Sequence, residues 1–525
     1  MNPIPVSWQV ESQGQGRAAL QSVAEKFPGR LETHRDRRNT YLDTFDWRLF
    51  RDGGSLLSTT EGRATVLRWN TLDGAARFRL RLAANPHFVW DLPPSPFRTD
   101  LESVVEMRRL LPRLEITSRR ETLHVLDDNK KTVVRLHFDE SSVASSEATP
   151  QVLELPGLLT AEPVRGYVEE FQAILDHLER ELQLQPAQSS QLITALDLLR
   201  QVPTAADSRF EVQLSPDMRS DEASKLIHKA LLKAILLNET GVRQDLDTEF
   251  LHDFRVAVRR TRSALTQIRD VYPPPIVEHF KREFAWLGRA TGTKRDLDVY
   301  LLKMPEYRAS LPEHLGPHLE PLEEFLTRHQ RLEHSKLVEQ LDSVRYRRLI
   351  QGWESFLEEP LPETDAPPQA EKEILLTASS RIRKAYAKVL KQGRAIDGSS
   401  PPELLHRLRI DCKKLRYLLE FFRSLYDEHE VAALIKALKR LQDNLGDFND
   451  LQIQQDSLQR FAHDMFQEGL ATGETLLALG RLVDRLETRQ EAVRQRFQQE
   501  LSKFASKKNR ARFRALFKQQ TTVAA

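Results

Sequence analysis

Two patterns of apolar spacing divide this chain near residue 200. Before it, short alternating or β-branched runs recur at 63–69, 77–82, 121–126, 132–139 and 151–155, the spacing of half-buried strands. Asp-Gly at 52–53 and 73–74, and Asp127-Asp128-Asn129, supply hairpin turns. Helical spacing interrupts at 16–26 and 164–184, so residues 1–200 predict an α+β domain on an antiparallel sheet. Residues 201–217, with Val-Pro-Thr-Ala-Ala-Asp and Leu-Ser-Pro-Asp-Met, read as a linker. From 218 onward apolar positions recur every three or four residues almost to 517. The clearest interruption, 358–370, carries four prolines and cannot be helical.

That interruption separates two copies of one pattern. HDFRVAVRRTRSALTQIRDVY opens at His252 and HRLRIDCKKLRYLLEFFRSLY at His406, an offset of 154 residues. The same offset joins Arg255 to Arg409, Arg259 and Arg260 to Lys413 and Lys414, and Arg262 to Arg416. It continues ungapped from Arg282 to Lys436, Gly292 to Gly446 and Asp296 to Asp450. Each half has room for about four helices. Residues 218–525 therefore predict an all-α domain of two pseudo-symmetric four-helix bundles, 218–357 and 371–515.

Bulk composition says little about chemistry: 78 Lys and Arg against 76 Asp and Glu leave a net charge of +2. A single cysteine, Cys412, excludes an intrachain disulfide or a zinc site. No apolar run approaches the ~20 residues of a membrane span. The start, MNPIPVSWQVES, lacks the basic and apolar segments of a signal peptide, so the cytosol is the expected address.

Local charge changes the picture. The stretches 252–272 and 406–426 carry net charges of +3 and +4. On a helix, His252, Arg255, Arg259, Arg262 and Arg269 share a sector of roughly 100° beside the apolar Phe254, Ala257, Val258, Leu265 and Ile268. His406, Arg409, Lys413, Arg416 and Arg423 repeat that stripe. Like charges three and four residues apart repel, so helix stability does not explain them. A solvated face is the bland reading, but such faces mix signs. Two matching basic stripes point instead to a polyanion, whose phosphate oxygens suit the arginine fork. The histidines offer no H-x-x-x-H spacing and sit among cations, which disfavours a metal. They are expected to donate hydrogen bonds to an anion or to backbone. Asp296 and Asp450, each read as following a glycine-containing loop, are expected to cap a helix or to hold an arginine. The segment 501–525 has seven Lys or Arg and no acid, with Phe504, Phe513 and Phe517 interleaved. It is either a polyanion grip or the last helix of the bundle.

The segments HDFRVAVRRTRSAL, LGRATGTKRDLDVYL, LLHRLRIDCKKLRYLLEFF and LKRLQDNLGDFNDLQI resemble the CHAD family, the conserved histidine α-helical domain, over about 218–515. The resemblance implies two bundles about a pseudo-twofold, with a basic surface and central channel that bind inorganic polyphosphate. The polyphosphate-binding positions it implies are Lys229, His252, Arg255, Arg259, Arg260, Arg262, Arg282 and Arg295 in the first half. In the second they are Arg383, His406, Arg409, Lys413, Lys414, Arg416, Lys436, Lys439 and Arg440. Arg295-Asp296 becomes Asn449-Asp450 in the second half.

The first 200 residues resemble a degenerate CYTH domain, the triphosphate-tunnel fold, through YLDTFDWRLFRDGGSLLS, TLHVLDDNKKTVVRLHFDES and VLELPG. The family's opening E-x-E-x-K, which holds metal and phosphate, falls at VSWQVES, where Ser7 and Gln9 replace the carboxylates. Glu11 and Glu154 remain, too few hard oxygen ligands for a divalent cation. Arg77, Arg79 and Arg81 alternate on one strand face and suit either an anion or solvent. The expected function is non-catalytic polyphosphate binding in the cytosol, at polyphosphate granules, without metal or cofactor. Two alternatives stay open: a triphosphatase acting through the CYTH-like domain, and a general polyanion or nucleic-acid binder.

Overall fold

The computed structural model describes residues 5–518 except 12, 62–63, 74–75, 145–151, 202, 204–209 and 361–366. Arg63, Gly74, Gln151, much of the linker, part of the proline-rich interruption and the tail after Lys518 lie outside the described residues. The chain divides into two compact units, Met1–Arg209 and Phe210–Ala525.

Among the described residues, the first unit is built on an antiparallel sheet of nine strands. They are β1 (Val6–Val10), β2 (Gly29–Asp43), β3 (Gly54–Glu61), β4 (Ala64–Thr71), β5 (Ala76–Leu82), β6 (Leu111–Leu126), β7 (Thr132–Ala144), β8 (Val152–Glu154) and β9 (Gly157–Pro163). The order is β1-β9-β7-β6-β2-β3-β4-β5, with β8 paired to β7. Among the described residues the unit's α-helices are α1 (Gln13–Lys26), α2 (Arg48–Arg51), α3 (Pro96–Val105), α4 (Val168–Asp176) and α5 (Gln191–Leu198). Alternation along the strands sends Trp8, Leu123, Leu136, Phe138 and Leu159 to one face, where they are packed by Ala19, Val23, Phe171 and Ile174 of α1 and α4. The opposite face buries Tyr41, Leu114, Ile116 and Val143 under Leu192, Ala195 and Leu196 of α5.

The predicted hairpin at Asp127–Asn129 joins β6 to β7, with Lys130 at φ 58° and Asp127 N–H donating to the Lys131 carbonyl at 2.9 Å. Asp52-Gly53 differs from expectation. It ends α2 and leads into β3, because Asp43 accepts the Leu49 and Phe50 amides at 3.0 and 2.9 Å and winds that segment into a helical turn.

The second unit is all helical: α6 (Ser220–Arg243), α7 (Thr248–Gln267), α8 (Pro274–Ala290), α9 (Gly292–Ser310), α10 (Glu320–Asp342), α11 (Val344–Glu358), α12 (Ile374–Arg394), α13 (Pro402–Phe421), α14 (Glu428–Gln467), α15 (Gly473–Phe504) and α16 (Lys507–Leu516). The repeat is visible in these bounds. Shifted by 154, α7 becomes α13 from first residue to last, and the starts of α6 and α8 become those of α12 and α14. Arg219 and Glu373, equivalent under the same offset, form an antiparallel bridge with each other, which places a pseudo-twofold between the halves. The C-terminal segment is the last helix of the bundle: Phe504, Phe513 and Phe517 are buried in α15, α16 and the turn after it.

One expectation fails. No glycine loop precedes Asp296 or Asp450: α14 is a single helix of 40 residues running through Gly446, and Gly292 opens α9 directly after Thr291. Both aspartates lie inside helices and cap nothing.

Candidate polyanion site

Asp247 starts α7 by accepting the Glu249 and Phe250 amides at 2.9 and 3.1 Å. Phe250, Phe254, Ala257, Val258, Thr261 and Leu265 then bury one face, which turns Arg255, Arg259 and Arg262 to the other. On α13, Leu405, Leu408, Cys412, Leu415 and Leu419 bury the equivalent face. The basic sector is shorter than expected. Both helices end before Arg269, which lies in a turn, and Arg423, which opens a short 3-10 helix: Arg269 donates to the Thr266 carbonyl at 3.0 Å and Arg423 pairs with Glu428.

The two stripes converge where equivalent residues meet across the pseudo-twofold. Lys413 is pushed down to about 8, first by burial, then by the Arg409 and Arg259 guanidinia, with Asp450 opposing and Arg416 adding to the effect. Arg259 is exposed and has no ion-pair partner among the described residues. Asp296 and Asp450 also come close enough to repel each other, near Arg255, Arg295 and Arg460. Asp450 accepts from Arg409 at 3.1 Å, so the arginine-holding role is the one realised.

The remaining candidates separate into braced and free groups. Arg255 donates to the Gly288 carbonyl at 3.0 Å and to Thr291 Oγ1 at 2.8 Å, pinning the α8–α9 junction. Arg416 pairs with Glu420 at 3.1 Å, and Lys414 contacts Asp411 at 3.4 Å. Arg260 is withdrawn from the stripe: it pairs with Glu420 at 2.7 Å and stacks over Phe210 and Tyr417, binding one half to the other. Lys229 is held by Glu358 at 2.9 Å on α11, Arg383 lies near the Tyr426 hydroxyl, and Arg282 faces Glu283 at 3.3 Å. Arg262, Lys436, Lys439 and Arg440 are exposed on α7 and α14 without an ion-pair partner among the described residues.

The two histidines are oriented by equivalent residues. Arg295 donates to His252 Nδ1 at 3.1 Å and to the Thr248 carbonyl at 2.8 Å. His406 Nδ1 meets Asn449 Oδ1, and the Asn449 amide donates onward to Asp450 at 3.3 Å. An arginine can only donate, so His252 Nδ1 accepts and its proton sits on Nε2; His406 carries its proton on Nδ1. The Arg295-to-Asn449 change thus sets opposite tautomers. Two cations escaped the sequence reading. Arg289 lies close enough to Arg262 to repel it, and sits within LGRATG; Arg460 lies near Asp296. Arg460 has Glu306 as its counterpart, so the repeat could not flag it.

Residues 226–459 match the family model of the CHAD domain. The helical unit contains a CHAD domain. The chain is similar to the crystal structure of the CHAD domain from the plant Ricinus communis, at 27% identity over 56% of this chain and 95% of that one, with a TM-score of 0.48. It is also similar to PptA from Streptomyces chartreusis, at 20% identity over 55% and 99% of the two chains, with a TM-score of 0.40. A Hippeastrum protein described as having a dominant triphosphatase activity matches at 13% identity over 37% of this chain and 94% of its own, with a TM-score of 0.26. No curated protein matches the chain.

Ahead of the CHAD domain, β1 carries Ser7 and Gln9, the residues expected to stand where the CYTH resemblance calls for carboxylates. Ser7 and Gln9 point away from the Trp8 core; Ser7 Oγ meets Thr160 Oγ1 at 2.9 Å. Gln9 lines a narrow cavity with Leu158, Ala187, Gln191 and Thr194. Among the described residues no group of three or more His, Cys, Asp or Glu is placed to hold a metal ion. Arg77, Arg79 and Arg81 are exposed on β5, and Arg77 stacks over Trp69 with 5.3 Å to the ring centroid. No helix among the described residues is long and apolar enough to cross a membrane.

Proposed function

We propose that this protein binds inorganic polyphosphate without transforming it, along the α7–α13 face of its CHAD domain. The observation that carries the reading is Lys413, half-buried beside Arg409, Arg259 and Arg416, where burial first and the neighbouring guanidinia second loosen its proton. Such crowding is unfavourable in the free protein and is relieved by a linear polyanion, whose bound counterions are released to solvent. Arg259 and Arg262 supply free guanidinia, and Arg255, Arg409 and Arg416 are fixed by their partners at the positions a phosphate chain would follow.

Inorganic polyphosphate is favoured over nucleic acid by the lack of a stacking platform. Tyr417, the aromatic beside the stripe, is only 4% exposed, and bases bound in single strands need open rings. The N-terminal unit supports no hydrolysis in this reading, since Ser7 and Gln9 are neutral and Ser7 is hydrogen-bonded to Thr160. Residence on polyphosphate granules would follow from binding alone. The test is a competition titration of labelled polyphosphate against duplex DNA and RNA at one salt concentration. Displacement by unlabelled polyphosphate at far lower phosphate concentration than by either nucleic acid is expected; equal displacement would make the protein a general polyanion binder.

A further inference from the structure

A second uncompensated basic cluster lies away from the α7–α13 face, where α16 docks on α12. Phe513 stacks on Tyr386 with ring centroids 3.6 Å apart and planes at 12°. Phe517 meets Tyr426 edge-on at 4.7 Å, and Phe504 closes the other side of Tyr386. Arg512 ties the same helix to Glu430 of α14. The docking is therefore a packed, fixed joint, and it determines where the neighbouring arginines go.

Arg510 lies about one turn before Phe513 on α16 and Arg514 directly follows it, so both leave the helix beside the ring that stacks on Tyr386. Arg394 lies two turns beyond Tyr386 on the same face of α12. All three act on the Tyr386 hydroxyl: burial pushes it up to about 12, while Arg510, Arg394 and Arg514 pull the other way. Their own charges find no carboxylate among the described residues. Two buried polar atoms in this seam have no hydrogen-bond partner, the Tyr386 hydroxyl and Arg510 Nε. Buried donors left unpaired cost free energy, and guanidinia without a carboxylate stay unneutralised. An oxyanion would relieve both penalties at once. The first half of the repeat has Leu232 in place of Tyr386, so the feature is not a by-product of duplication.

We propose that this seam is a site for the end of a phosphate chain, in which the Tyr386 hydroxyl and the Arg394, Arg510 and Arg514 guanidinia hold a terminal phosphate group. Charge selects the end over the interior. An interior phosphate carries one negative charge, whereas a terminal phosphomonoester-like group carries about 1.5 to 2 at pH 7 and offers three free oxygens. Three cations and a hydroxyl donor match the latter. The proposal deepens the polyphosphate reading but stands on different helices, so the two can fail separately.

The experiment compares linear tripolyphosphate with cyclic hexametaphosphate, which carries more charge but no chain end, by calorimetric titration of the full chain. Tighter binding of the linear compound, by about tenfold, is expected. The Arg510→Ala/Arg514→Ala variant should lose that preference, and Tyr386→Phe, which keeps the ring stack, should reduce it severalfold. An Arg259→Glu/Lys413→Glu variant should keep the preference while losing long-chain polyphosphate. Equal or tighter binding of the ring by the native chain, or a preference undiminished in Arg510→Ala/Arg514→Ala, overturns the end site. Loss of long-chain binding in neither variant set would count against the α7–α13 face and leave the end site standing on its own preference.

Discussion

Lys413 makes polyphosphate affinity depend on pH in a direction the structure dictates. Free, its ammonium has fallen from the ordinary 10.5 to about 8, through burial and through Arg409 and Arg259. A polyanion laid against it cancels the repulsion and returns the proton affinity toward 10.5, so binding takes up a proton once the pH exceeds 8. Affinity is therefore full below about pH 8 and falls as the pH rises through it. With complete restoration, the dissociation constant at pH 9 is about tenfold weaker than at pH 7, and about sixfold weaker if half the shift is restored. Calorimetric titration at pH 7, 8 and 9, in two buffers of different ionisation enthalpy, reads both the affinity and the proton uptake. Lys413→Arg keeps the charge at all these pH values and should flatten the profile. An unchanged affinity between pH 7 and 9, or the same decline in Lys413→Arg, would show that the Lys413 ammonium does not meet the polyanion.

Other consequences follow from the same contacts. Arg259→Glu with Arg262→Glu should weaken polyphosphate binding by about tenfold or more with little change in melting temperature, because both side chains are exposed and unpaired. Arg255→Glu should instead destabilise the fold by about 1–3 kcal/mol, since it strips donors from Gly288 and Thr291; a melting curve distinguishes the two. His228 is fully buried with both ring nitrogens unpartnered, and burial holds it down to about 3 from 6.5. The unfolded chain takes up that proton below pH 6.5 and the folded one does not, so stability is complete above 6.5. It should fall by about 1.4 kcal/mol per pH unit below it, and denaturant unfolding at pH 7 and 5 should show a smaller drop in His228→Leu. Tripolyphosphate with Mg²⁺ or Mn²⁺ should release no phosphate; turnover abolished by Glu154→Gln would show a metal site assembled without the lost carboxylates.

The helical architecture was legible because duplication repeats its signal. An ungapped offset of 154 places α7 on α13 to the residue and matches their basic stripes position by position. Ion-pair partners were not legible in the same way. Arg260 joins Glu420 and Lys229 joins Glu358 through contacts between helices far apart in sequence, and local spacing holds no record of them. The glycines misled for a different reason. Gly446 sits inside a continuous helix whose packing outweighs the ~1 kcal/mol that glycine costs there, so a glycine near Asp450 did not mean a loop. In the N-terminal unit, β4 to β8 showed through alternation. β2, with GRLETHRDRRNTYLD, is polar along most of its length, and its strand character comes from pairing with β3 and β6 on either side. β1 was visible only as the place where an acidic motif should have stood.

If the paired stripes of the CHAD domain are the polyphosphate surface, binding there must weaken steeply with salt. The dissociation constant of long-chain polyphosphate should be measured from low to moderate salt for the native chain and for Arg259→Ala/Lys413→Ala. By analogy with DNA, each neutralised phosphate contributes about 0.7–0.9 to the slope of log affinity against log salt. The native chain should show steep salt dependence, and the double variant a slope smaller by about 1.5. An identical slope and affinity in the two proteins would contradict that assignment of the surface.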